Sequence, residues 1–341
     1  VTGPSDKGLK KKKICIKSVV CAVGICLAVL VAAAVVILYI TPVPAALFLR
    51  SQFENPTVSK LPTYDTDDIM VERDITYPSS LAQNTLDLYL PAEHSASTPV
   101  ILWAHGGAYV GGDKSDIRQY ASCLAADGYA VVCINYELAP EGTYPGPLIQ
   151  MGDACNWIAS AGSKRIFDAN LLVIAGDSAG AHLAAQYALI QTSASYAAKV
   201  NIAQMASPDS LKAVLLFCGP YDMSTLGVSQ SPLVNYFLSR AGWAYFGTRD
   251  WFGRYGQQII ITDNVTSSFP PAFITDGNTG SFEKDGKELA RKLKSLGVEV
   301  SPYFTPISEG TTAHEYQFDM TTTAAQESYA QVLRFLERHV G

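Results

Sequence analysis

Five short, continuous apolar runs mark the chain: Pro99–Ala104 (PVILWA), 130–135, 171–175 (LLVIA), 213–218 and 272–275. Each is too short for a stable helix and apolar at successive positions, as a strand buried on both faces must be. Helical stretches separate them, near 117–127, near 147–160 and from Ser178 onward. Strands alternating with helices specify an α/β domain with a mostly parallel sheet and helices on both faces. Two alternating segments upstream, 70–77 and 84–90, read as an opening antiparallel hairpin ended by Pro91. Downstream, Leu289, Leu293 and Leu296 recur at helical spacing before Gly297 stops the helix. A strand over 298–304 and an amphipathic helix over 323–339 complete the pattern.

At 341 residues the chain can hold one such domain and an anchor. Residues 18–40 carry no charge and are rich in Val, Ala, Leu and Ile. At about 1.5 Å per residue they span a hydrocarbon core of about 30 Å, the expectation for a transmembrane helix. The preceding LKKKKICIK concentrates positive charge, which keeps residues 1–17 cytoplasmic and sends the domain outside. A cleaved signal peptide is the rival reading, with a loose small-residue site at 43–45. Residues 41–68 read as a linker and 69–341 as the folded domain. The net charge of −6 becomes more negative once the lysine-rich N-terminus is set aside, which argues against nucleic acid as a partner. Cys133 and Cys218 fall in strand-like runs and are expected as buried thiols, and no Cys/His spacing points to a metal.

Gly176-Asp177-Ser178-Ala179-Gly180 joins an apolar strand to a helical run, the context of a nucleophile elbow with Ser178 at the turn. Such a turn leaves no room for side chains two residues either side of the serine. His105-Gly106-Gly107-Ala108 follows the 99–104 strand, where the amides of Gly106, Gly107 and Ala108 can join that of Ala179 in binding an oxyanion. Of the five histidines, His94 and His105 precede the serine, His182 sits on the elbow helix and His339 near the terminus. His314, on a loop after the last strand, is the candidate general base.

HGGAYVGG, YELAPEGTYPGPLIQ at 136–150, GDSAG and a late AHEY, in that order, resemble the hormone-sensitive-lipase branch of the α/β-hydrolases over roughly 70–340. The resemblance implies an eight-stranded sheet, a cap insertion, no cofactor, and hydrolysis of small-molecule or lipid-like carboxylic esters through an acyl-enzyme. Residues 223–268, dense in aromatics, are the expected cap. Members of this branch usually carry the triad acid six residues before a helix-opening glycine. Counted from Gly286 that position is Gly280, so the expected carboxylate is missing. Asp276 is the nearest substitute, with Glu283 and Asp285 behind it. An amidase or peptidase, a glycan deacetylase, and a catalytically silent binding protein remain as alternatives.

Overall fold

The computed structural model describes residues 16–53, 68–165, 167–205, 207–228 and 231–341. An apolar helix α1 (Ile16–Ile40) leads into α2 (Val43–Phe53). The domain then follows the order β1 (Ile69–Thr76), β2 (Thr85–Pro91), β3 (Pro99–Ala104), α3 (Arg118–Ala126), β4 (Ala130–Ile134), α4 (Gly146–Arg165), β5 (Asp168–Asp177), α5 (Ala179–Thr192), α6 (Ala194–Val200) and β6 (Leu211–Phe217). Three helices intervene, α7 (Pro232–Phe246), α8 (Trp251–Ile259) and α9 (Ile261–Asn264), before β7 (Ala272–Asp276), α10 (Glu283–Ser295), β8 (Val300–Phe304) and α11 (Thr323–Val340).

The eight strands form one sheet in the order β1-β2-β4-β3-β5-β6-β7-β8. β2 runs antiparallel to both neighbours and the rest are parallel, so the expected α/β architecture of eight strands is the observed one. Strands β3, β4 and β7 are buried at every position, because helices cover both faces of the sheet. On one side α3 and α11 pack around Trp103, Tyr120, Phe217 and Phe335. On the other, α4, α5 and α10 bury Leu102, Ile174, Leu183, Leu216 and Leu289. Cys133 and Cys218 are buried thiols, as their strand-like contexts required.

One expectation needs correction. Residues 43–53, read as linker, form α2, which buries Ala45 and Ala46 and lies along α7. Arg50 holds it in place: its guanidinium bonds both oxygens of Glu141 at 3.1 and 2.6 Å, the Ala139 carbonyl at 2.7 Å and the Val110 carbonyl at 2.6 Å. Residues 54–67, the rest of that stretch, lie outside the described residues.

Candidate active site

β5 ends where α5 begins, and Ser178 occupies the junction with φ 49° and ψ −117°. This is strained ground for a side-chain-bearing residue. The strain is held by crowding on both sides. A Cβ on Gly176 would stand 2.3 Å from the Gly180 carbonyl oxygen, and one on Gly180 only 2.0 Å from that of Ala104. The Ser178 amide bonds the Phe217 carbonyl of β6 at 2.7 Å, so the turn is tied to the neighbouring strand.

His314 reaches Ser178 from the loop after β8, with Nε2 3.0 Å from the hydroxyl oxygen. Its Nδ1 lies 2.6 Å from the Ser281 hydroxyl, which in turn donates to Oδ1 of Asp276 at the end of β7. Because that hydroxyl's proton points to the carboxylate, its oxygen must accept from Nδ1–H. The tautomer follows: Nε2 carries the lone pair and faces the Ser178 O–H. Burial pushes Asp276 up to about 6, against the pull of the Ser281 bond and the His314 charge. Burial lowers His314, and Asp276 partly restores it. Asp276 therefore meets the ring through an intervening hydroxyl. Glu283 pairs with Lys287 at 2.7 Å, and Asp285 accepts the Asp222 amide at 3.3 Å, so both are committed elsewhere.

The loop after β3 carries a run of left-handed residues, Gly107, Ala108 and Tyr109 at φ 104°, 51° and 63°. Among the described residues no acceptor takes the amides of Gly107, Ala108 or Ala179, and all three residues line the cavity beside Ser178. Gly106 is different. Its amide donates to Asp177 Oδ2 at 2.8 Å, so it is withdrawn from the expected set of oxyanion donors. Asp177 Oδ1 accepts from the Trp103 indole at 2.8 Å, so Asp177 ties the elbow both to β3 and to the loop after it. His105, stacked on Tyr136 at 4.4 Å, and His182, lowered to about 4 by burial, are packing residues.

Two side chains join the site that the sequence reading passed over. Ser281 stands one residue beyond Gly280, where a carboxylate was expected, and its place next to that gap is the signal that could have found it. Glu315 lies 3.6 Å from His314 Nε2 and beside Asp177. Burial, then the Glu315 charge, holds Asp177 well above the carboxylate range, and burial lifts Glu315 to about 7. Cys218, Asp276 and His314 bring ligand-type atoms within 4.8 Å of one another. Both ring nitrogens of His314 already have hydroxyl partners, and burial holds the Cys218 thiol well above its ordinary range, so the cluster fits a hydrogen-bonded relay better than a metal.

The cavity has a volume of about 190 Å³ and mostly apolar walls, among them Phe53 of α2, Leu226, Val234, Leu238 and Ala241 of the α7 region, and Phe282. The arrangement can deprotonate a serine beside three unpaired amides, which is the equipment of acyl transfer.

A model of the BD-FAE family matches residues 86–282. Esterase LipC of Mycobacterium tuberculosis is 32% identical over 182 residues, 53% of this chain and 44% of that protein. A probable isoprenylcysteine alpha-carbonyl methylesterase of Oryza sativa subsp. japonica is 29% identical, over 53% of this chain and 43% of its own. The chain thus spans less than half the length of these two curated relatives. Among solved structures, esterase B from Lactobacillus rhamnosis superimposes with a TM-score of 0.69 at 24% identity, over 87% of this chain and 93% of that one. A bacterial heroin esterase gives 0.68 at 20%, over 86% and 91%. These likenesses establish the α/β-hydrolase fold.

Proposed function

The chain belongs to the BD-FAE family, and we propose from that premise that it is a membrane-anchored serine hydrolase cleaving carboxylic esters through an acyl-enzyme on Ser178. One observation carries the reading: the Ser178 hydroxyl is 3.0 Å from His314 Nε2, in a cavity that also holds three unpaired amides. His314 takes the Ser178 proton as the oxygen attacks the ester carbonyl. The carbonyl's electron pair moves to oxygen, which the amides of Gly107, Ala108 and Ala179 receive. The imidazolium then protonates the departing alcohol as the C–O bond breaks. Water, deprotonated by the same ring, releases the acid and restores Ser178. Asp276, acting through Ser281, keeps Nδ1 protonated and stabilises the imidazolium.

Similarity to an esterase and a probable methylesterase supports an ester over an amide. The anchor is α1, whose residues 19–40 are long and apolar enough to cross a membrane and are exposed rather than packed into the domain core. With the lysines on its N-terminal side, the domain would stand on the extracytoplasmic face.

The test is hydrolysis of nitrophenyl acetate, butyrate and octanoate by the full chain in detergent, beside Ser178→Ala, His314→Ala and Asp276→Asn. Loss of about 10³-fold or more in the first two variants is expected. A Ser178→Ala chain with full activity sinks the proposal.

A further inference from the structure

The helix that follows α1 is apolar on the side that water should see. In α2, Ala45 and Ala46 face the domain, while Val43, Leu47 and Phe48 are 36%, 46% and 52% exposed. Alongside on α7, Leu233 is 69% and Val234 43% exposed. Phe48 stacks on Phe237 at 5.2 Å, which joins the two helices into one surface. Helices facing water turn charged residues outward, and a contiguous apolar face marks an interaction surface instead.

Two observations say what covers it. The face begins at Val43, three residues after the last residue of α1, a helix long enough to cross a bilayer. At that junction Arg249 lies over the rings of Tyr39 and Trp243 at 4.6 and 5.0 Å, and Arg240 over those of Trp243 and Tyr236 at 5.1 and 5.2 Å. Aromatic rings with arginines at the end of a span are the residues that settle at the headgroup level. The same face also reaches the cavity. Val234 is half exposed on it and lines the pocket, and Phe53 closes the pocket from the α2 side.

We infer that the α2–α7 face rests on the lipid surface and that the cavity takes its ester from the bilayer. The inference deepens the proposed esterase and rests on its anchoring. A cavity of about 190 Å³ is smaller than the roughly 300–1,000 Å³ of ordinary ligand pockets. It therefore takes one short arm of the ester, and the long apolar arm stays in lipid against α2 and α7. The substrate class is a membrane-resident ester with one short arm.

The test uses the full chain in phosphatidylcholine vesicles and the double substitution Leu47→Glu, Leu233→Glu, which lies outside the catalytic machinery. Two probes are compared, nitrophenyl butyrate in the aqueous phase and hexadecyl butyrate dissolved in the vesicle membrane. The double variant is expected to hold kcat/KM on the soluble ester within about twofold and to lose roughly tenfold or more on the membrane ester, because carboxylates oppose insertion of the face. Loss on both probes alike, or on neither, overturns the inference while leaving the esterase standing. A parent chain inactive on nitrophenyl butyrate overturns the esterase and the substrate class together. Docking is then judged without catalysis, from a diazirine-bearing lipid in the same vesicles. Cross-links on peptides containing residues 43–48 and 233–237 support it, and cross-links confined to α1 overturn it.

Discussion

The hydroxyl of Ser281 lies between a buried carboxylate and the ring that faces Ser178, so removing it isolates one from the other. Ser281→Ala is expected to lower kcat/KM by about 10–10²-fold, with the folded chain intact, because the ring loses the group that fixes its tautomer. Unchanged turnover would mean that Asp276 reaches His314 directly. The pH profile carries a second prediction. Asp276 is lifted to about 6 and His314 is lowered from its ordinary value, and both must be unprotonated for the ring to act as base. Activity should therefore rise with pH through about 6 and then level off, and a kcat/KM that falls over this range would refute the assignment. Ser178 and His314 were legible in the sequence because an elbow is a local strand-to-helix turn and the histidines are few. Asp276 as candidate acid was harder to read, since its link to His314 runs through the hydroxyl of Ser281 on a loop.

α2 contributes to the site in two ways that can be separated. Phe53 forms a wall of the cavity, so Phe53→Ala should widen it and move the preference from acetate and butyrate toward octanoate, measured as the ratio of kcat/KM values. An unchanged ratio would show that the acyl arm lies elsewhere. Arg50 joins the carbonyls of Ala139 and Val110 to Glu141, and Val110 follows directly on the loop that holds the unpaired amides. Arg50→Ala breaks two part-buried hydrogen bonds from a charged donor to the Ala139 and Val110 carbonyls, worth about 1.5–3 kcal/mol each, and an exposed pair with Glu141 that adds little. Both stability and turnover should fall, and a melting temperature equal to the parent's would contradict this. This helix escaped the sequence reading for a physical reason. VPAALFL is apolar around most of its circumference and gives no helical period, and the partners that fix it are 60 to 91 residues away. The sheet was easier, because strands buried on both faces are continuous apolar runs whatever their neighbours.

Across the whole molecule, several buried or partly buried carboxyl groups are held above their ordinary range: Asp276 and Asp285 to about 6, Glu315 to about 7, and Asp177 well above it. In each, burial is the largest cause. Asp177 and Glu315 also stand side by side, so the pair keeps one proton where separate carboxyls would have lost both. The consequence for stability has a definite sign. Over about pH 4 to 7 these carboxyls keep protons that the unfolded chain has lost, so their contribution to stability declines as pH rises, while His105, His182 and His314, lowered by burial, contribute in the opposite sense. Asp113 and Glu141 are shifted the other way, below their ordinary values. The share of the Asp177–Glu315 pair is therefore read as the difference between parent and variant in thermal unfolding of the full chain in detergent. Glu315→Gln replaces the charge by a neutral amide of similar shape, so it should raise the midpoint above the parent's at pH 7.5 and by clearly less at pH 5. An equal midpoint gain at the two pH values would mean that Asp177 and Glu315 ionise freely, and that the loop bonded to Asp177 through the Gly106 amide is not held by a shared proton.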